Sequence, residues 1–332
     1  MSAKWVRRPS ATSSSPRTTR LGVESLEDRT LPAGIVINST DTRFATGAGP
    51  GGSPHVKVLS AVDNQLISSF IAYDPLFTGG VRVAMGDVNG DAVPDIITVP
   101  GRGGGPNVKV FSGTDSTLLQ SFMAYDPSFR GGLWVAAGDL DGDGIDEVIT
   151  GASTGGAPHV KAFKVTDGNI VTSLVNEGAV ATLRSFFAYD TSFTGGVTVA
   201  AADINGDGKA EIVTAPWAGG GPIVKVFSGV DSTLLRSFVA YDPTLRSGLS
   251  LAAGDLDGDG KDEIVTGPWV GGGGHVRVFD GSGRQESDFI AFDPSFTGGL
   301  SVDVIAVSHE LTGPAQIQVA PSSGSPAVTT FA

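Results

Sequence analysis

The sequence of 332 residues predicts an all-β fold, a β-propeller of four-stranded blades, on three observations. An acidic phrase recurs: Gly-Asp-Val-Asn-Gly-Asp at 86–91 returns as Gly-Asp-Leu-Asp-Gly-Asp at 138–143 and 254–259, with Ala-Asp-Ile-Asn-Gly-Asp at 202–207. Other phrases keep step with it. Tyr-Asp-Pro stands at 73–75, 125–127 and 241–243, with variants at Tyr189 and Phe292, and Val-Lys-Val or a close relative marks 56–58, 108–110, 160–162, 224–226 and 276–278. Finally, no window carries the i, i+3, i+4, i+7 stripe of a helix, while short Val/Ile-rich runs alternate with Gly-rich turns. Self-similarity at a period of 40–50 residues, with four strands per period, is the mark of a propeller.

The leading aspartates of the phrase, Asp87, Asp139, Asp203 and Asp255, are spaced by 52, 64 and 52 residues. The extra dozen residues fall around 168–182, an insertion in an otherwise regular period. Six units follow: 33–78, 79–130, 131–194, 195–246, 247–297 and 298–332. In the second unit the strands are expected at about Val81–Gly86, Asp95–Val99, Asn107–Phe111 and Leu118–Tyr125. The first strand of each unit, as in Leu133–Gly138 and Leu249–Gly254, is small and apolar throughout, which suits an inner strand buried on both faces. The last unit has material for only three strands. A strand near Gly34–Asn38 is therefore expected to complete it and close a ring of six blades; an open stack would leave sheet edges exposed.

Composition narrows the chemistry. There is no cysteine, so disulfides, thiolate metal sites and cysteine nucleophiles are excluded. Four histidines without an HExxH arrangement leave little for a histidine-based zinc site. The net charge of −13 disfavours nucleic acid. No apolar run approaches the roughly 18 residues of a membrane span.

Residues 1–32 are Ser/Thr/Arg/Pro-rich, hold six basic and three acidic residues, and are expected to be a disordered leader. The rest of the chain is left with a net charge of −16. Arg7–Arg8 has the look of a twin-arginine signal but lacks its apolar core. The stretch 23–33 (Val-Glu-Ser-Leu-Glu-Asp-Arg-Thr-Leu-Pro-Ala) resembles the LEDR leader of many large planctomycete surface proteins, which implies export to a secreted or cell-surface location.

The acidic loops carry the chemistry. Oxygen ligands stand at alternate loop positions 1, 3, 5 and 9, with a backbone carbonyl offered at position 7. The second unit supplies Asp87, Asn89, Asp91, Val93 and Asp95. The third supplies Asp139, Asp141, Asp143, Ile145 and Glu147; the fourth Asp203, Asn205, Asp207, Lys209 and Glu211; the fifth Asp255, Asp257, Asp259, Lys261 and Glu263. Alternate hard oxygens on a tight Gly-containing turn suit Ca²⁺, which takes 6–8 of them. Three or four carboxylates so close would otherwise repel one another. An EF-hand is the rival reading. It demands Glu at position 12 and a following helix, whereas position 12 here is Thr98, Thr150, Thr214 or Thr266 within β-branched runs.

D-x-[DN]-G-D-G-x-x-[DE] between two strands closely resembles the FG-GAP repeats of integrin α-chain propellers and of bacterial VCBS-type proteins, over about residues 40–332. The resemblance implies a calcium-binding propeller of extracellular and cell-surface proteins, with three to four Ca²⁺ held by the residues just named. Ala92 departs from the pattern, standing where glycine is usual, which implies a weaker second site. In the final unit the loop has degenerated to Ser-His-Glu-Leu-Thr at 308–312, and no ion is expected there.

The remaining motifs read as structural. Gly101–Gly105 and Gly271–Gly274 lead into strands, not into the helix a phosphate loop requires. The Tyr-Asp-Pro aspartates read as Asx turns. Lys57, Lys109, Lys161, Lys225 and Arg277 recur on one strand face, and His55, His159 and His275 occupy equivalent sites in different units. Trp217 and Trp269 break the symmetry on the rim opposite the acidic loops, where they either pack between blades or stack on a sugar. The function expected is a non-catalytic extracellular binding, adhesion or scaffolding propeller whose partner is a surface glycan or a protein. A propeller-fold polysaccharide lyase or glycosidase is the alternative, though no cluster of unique acidic or basic residues marks one rim.

Overall fold

The computed structural model of the chain describes residues 29–30, 43–61, 63–165, 180–271, 273–293, 295–296, 298–305, 315–321 and 329–331. All regular elements among them are strands. The first sheet comprises β1 (Arg29–Thr30), β2 (Arg43–Ala48), β3 (His55–Ser60) and β4 (Leu66–Ile71). The second is β5 (Val81–Gly86), β6 (Asp95–Pro100), β7 (Asn107–Phe111) and β8 (Leu118–Met123). The third is β9 (Leu133–Gly138), β10 (Glu147–Ala152), β11 (His159–Val165) and β12 (Val180–Phe187). The fourth holds β13 (Val197–Ala202), β14 (Glu211–Pro216), β15 (Ile223–Phe227) and β16 (Leu234–Val239). The fifth holds β17 (Leu249–Gly254), β18 (Glu263–Pro268), β19 (His275–Phe279) and β20 (Gln285–Ile290). The sixth has three strands, β21 (Leu300–Ile305), β22 (Gln316–Pro321) and β23 (Thr329–Phe331).

Every sheet is an antiparallel meander, so the fold is a β-propeller, with five four-stranded blades and a sixth sheet of three strands among the described residues. Gly34–Asn38, expected to complete it, lies outside the described residues. The described N-terminal strand, β1, pairs with β2 at the inner edge of the first blade, Arg29 opposite Ala48 and Thr30 opposite Gly47.

The inner strands show why the blades stack. Their side chains alternate with period two, and both faces are buried. In β9, Leu133, Val135 and Ala137 pack with Ala84, Ile97 and Val99 of the second blade. Trp134 and Ala136, on the other face, pack with Val197, Val199 and Ala201 of the fourth. Such an interface recurs between successive blades up to the sixth, where Val302 and Val304 meet Ala252 and Val265. Each buried aliphatic side chain contributes about 1.5–3 kcal/mol, which is why these strands are apolar throughout instead of alternating with polar residues.

A polar pin crosses each of these interfaces but the last. The Tyr189 hydroxyl of the third blade sits 3.0 Å from the Thr214 carbonyl oxygen and 2.9 Å from that of Ile223, both in the fourth. Lys225 lies 4.7 Å from the Tyr189 ring centroid and donates to the Ala188 carbonyl at 2.8 Å. Tyr73, Tyr125 and Tyr241 repeat the arrangement with Thr98, Thr150 and Thr266. This explains the threonine at loop position 12 and the recurring cation on the third strand. Before the sixth blade Phe292 replaces the tyrosine, and Val319, at the register of the threonines, replaces its partner. Asp126 of Tyr-Asp-Pro accepts from the Ser128 backbone N–H at 2.8 Å, an Asx turn repeated at Asp190, Asp242 and Asp293.

Candidate metal sites

The acidic loops all join the first strand of a blade to the second, at one end of the stack. Position 1 follows the inner strand, and position 9 is the first residue of the next: Asp95 opens β6, Glu147 β10, Glu211 β14 and Glu263 β18. That placement buries the ninth carboxylate, with Asp95 and Glu147 fully shielded from solvent, while positions 3 and 5 stay at the surface.

One hydrogen-bond pattern shapes all four loops. The first aspartate wraps the turn around itself. Its Oδ1 accepts from the backbone N–H at position 4 and its Oδ2 from that at position 6. The distances are 2.7 and 2.7 Å for Asp87, 2.7 and 2.7 Å for Asp139, 2.8 and 2.8 Å for Asp203, and 2.7 and 3.0 Å for Asp255. The ninth carboxylate accepts from the N–H at position 2, as Glu147 does from Leu140 at 2.8 Å. The turn requires left-handed backbone at position 6, met by Gly144, Gly208 and Gly260 at φ of 82–85°. Ala92 is held at φ 64° in the second loop, a conformation that disfavours a side chain by about 1–2 kcal/mol.

Oxygens of Asp139, Asp141 and Glu147 lie within 4.8 Å of one another, as do those of Asp255, Asp257 and Asp259. In the second and fourth loops the residue at position 3 is an asparagine. Its amide nitrogen bonds a neighbouring carboxylate: Asn89 to Asp91 at 3.2 Å, Asn205 to Glu211 at 3.1 Å. Val93, Ile145, Lys209 and Lys261 occupy position 7 of their turns. His309 and Glu310 of the degenerate loop lie outside the described residues.

Burial dominates the electrostatics. It pushes Asp95, Glu147, Glu211 and Glu263 up to about 7, and nearby loop aspartates add to the rise. Oε1 of Glu147 is buried, makes no hydrogen bond of good geometry, and has the Lys164 ammonium 3.3 Å away. A fully shielded carboxylate oxygen facing other carboxylates is a place where a cation belongs, and a hard divalent ion matches an all-oxygen set. The donors present therefore fit Ca²⁺.

Two kinds of residue escape the ligand pattern. Asp146 and Asp262, at position 8, reach back to the preceding blade. Oδ2 of Asp262 accepts from the Asp203 N–H at 2.8 Å, and the Asp262 N–H donates to the Asp203 carbonyl at 2.9 Å. Burial raises Asp146 to about 7 and Asp262 to about 6. The visible signal was an acidic residue at an even loop position in only two units. The other is Lys164 on β11, whose Nζ lies 2.7 Å from Asp141 Oδ2, 2.5 Å from Asp143 Oδ2 and 3.3 Å from Glu147 Oε1. Burial opposes its charge, but the hydrogen bonds it donates to Asp141 and Asp143 hold it above the ordinary lysine range. Its signal was a second lysine in Val-Lys-Ala-Phe-Lys-Val, where other units have Ser112, Ser228 or Asp280.

On the opposite rim Trp217 and Trp269 come together, ring centroids 4.4 Å apart, and Trp134 of the third blade joins them at 4.5 Å from Trp217. Arg82 of the second blade lies over Trp134 at 3.8 Å. Trp217 is only 7% exposed. Both tryptophans also line a cleft of about 680 Å³ with Leu245, Arg246 and Val270.

No helix among the described residues is long and apolar enough to cross a membrane. The FG-GAP repeat family matches the sequence at residues 131–174, 195–226 and 247–279, from the inner strand through the acidic loop in the third, fourth and fifth units. The second unit, where Ala92 strains the turn, lies outside the matched residues. Matched repeats and four-stranded blades agree on one description: the chain is a β-propeller that carries FG-GAP repeats in three successive blades.

Proposed function

We propose that the protein is a non-catalytic, extracellular propeller that binds or scaffolds a partner and is stabilised by three to four calcium ions. The cluster of Asp139, Asp141 and the fully buried Glu147, with oxygens within 4.8 Å of one another, is the observation that carries this reading. The ions would be held by Asp87, Asn89, Asp91 and Asp95, by Asp139, Asp141, Asp143 and Glu147, by Asp203, Asn205, Asp207 and Glu211, and by Asp255, Asp257, Asp259 and Glu263. Carbonyls of Val93, Ile145, Lys209 and Lys261 would complete the sets. Calcium supplies the positive charge that lets buried carboxylates ionise, and so fastens the first hairpin of each blade.

The carboxylates raised to about 7 recur at equivalent positions in successive blades, which favours a repeated binding role over a single catalytic pair. Residues 1–32 serve as the export leader in this reading, and the mature protein is secreted or held at the cell surface, where millimolar calcium fills weak sites. A surface glycan or a protein meets the molecule at the cleft beside Trp269, whose ring is half-buried, while Trp217 mainly packs between blades. Equilibrium dialysis of the purified chain against calcium tests the proposal. Three to four bound ions per chain support it; no bound calcium at millimolar concentration overturns it.

A further inference from the structure

The third and fifth loops have the same donors at positions 1, 3, 5 and 9: three aspartates and a glutamate. They differ in what faces those donors. In the third blade β11 runs seven residues, to Val165, against five for β7, β15 and β19. Phe163 pairs with Val148 as Phe279 pairs with Ile264, so Lys164 and Asp280 occupy the same register. The ammonium of Lys164 reaches three of the four carboxylates of its own loop, including the buried Glu147. Asp280 instead bonds Ser282 and Arg284, outside the fifth loop. The fifth loop's own cation, Lys261, is half-exposed and, among the described residues, forms an ion pair with Asp259 alone, at 3.5 Å.

Resting on the calcium reading above, we propose that Lys164 is a built-in cation of the third blade, seated where the ion would sit. Calcium then enters this loop only by displacing the Lys164 ammonium. A monovalent cation satisfies part of the charge and offers three donors in place of six or more coordination positions, so the ion wins at a reduced affinity. The sites thus fill in order. The fifth loop, with the same carboxylates and only the exposed Lys261 beside one of them, fills first, and the third fills at higher calcium. The third blade keeps a measure of order without calcium that the fifth lacks.

Calcium titration of the full chain by isothermal calorimetry, wild type against Lys164→Met, tests this. Methionine keeps the aliphatic stem and removes the charge. One calcium equivalent is expected to tighten roughly ten- to hundredfold, the scale of one close charge at a protein surface, while the others stay put. Adding Asp139→Asn to that variant should remove the tightened equivalent, placing it in the third loop. Lys164→Gln provides the same comparison should the methionine variant fold poorly. Superimposable isotherms for wild type and variant, with calcium bound by both, overturn the role of Lys164 and leave the calcium reading intact. Calcium bound by neither overturns both.

Discussion

Asp146 of the third blade grips both polar ends of the Asp87 backbone in the second: its Oδ2 accepts from the Asp87 N–H at 2.9 Å, and its own N–H donates to the Asp87 carbonyl at 2.8 Å. Asp87 opens the second acidic loop, so the start of one candidate metal site is held by the neighbouring blade. The fit is tight. A Cβ added at Gly86 would fall 2.6 Å from Ala137 Cβ and 2.7 Å from Asp146 Oδ2.

Asp146→Ala should therefore destabilise the protein by about 1–2 kcal/mol, the scale of a buried N–H losing its acceptor. The fourth blade shows that the methyl fits, because Ala210 stands at the same position and keeps only the main-chain bond to Asp139, at 2.7 Å. Urea unfolding of the two proteins in the same calcium buffer checks the figure. A calcium affinity weakened at one site is the second expected effect.

Ala92→Gly should stabilise the protein by about 0.5–1 kcal/mol, since it relieves a left-handed alanine at a modest entropic cost. The gain should appear in chelator as well as in calcium, because the strain belongs to the backbone. Paired denaturant curves measure it.

Most of the fold was legible in the sequence because each blade repeats the same physical problem. The expected strands at Val81–Gly86 and Asn107–Phe111 coincide with β5 and β7, and the doubly buried inner strand followed from its unbroken apolar run. The turn shared by the four acidic loops was legible for the same reason, as a short-range pattern. Asp146 and Lys164 were not, since both act on residues brought near only by packing or pairing: Asp87 lies 59 positions from Asp146, and Asp141 lies 23 from Lys164. Nor did the sequence reveal the Tyr189–Thr214 pin, whose partners share no local motif. The sixth blade contributes three strands among the described residues, and Gly34–Asn38, the segment expected to complete it, lies outside them.

Without calcium, burial holds Asp95, Glu147, Glu211 and Glu263 at about 7, above their unfolded values near 4. Between those limits the folded chain retains protons that the unfolded chain has released. Their contribution to stability is complete below about pH 4 and is lost as the pH rises through about 7. In chelator, the melting temperature should fall between about pH 5.5 and pH 8. In saturating calcium that fall should disappear, because the calcium-bound folded chain and the unfolded chain both hold these groups ionised across the interval. Calorimetric scans across that interval, with and without calcium, read both slopes.

If divalent ions seated among these carboxylates hold the blades in their folded arrangement, removing them must loosen the fold. Differential scanning calorimetry of the purified chain in about 1 mM calcium and again in excess chelator is the most direct test of that link. Three or four sites occupied well above their dissociation constants should raise the melting temperature on the order of 10 °C. Melting curves that coincide in the two buffers would contradict it.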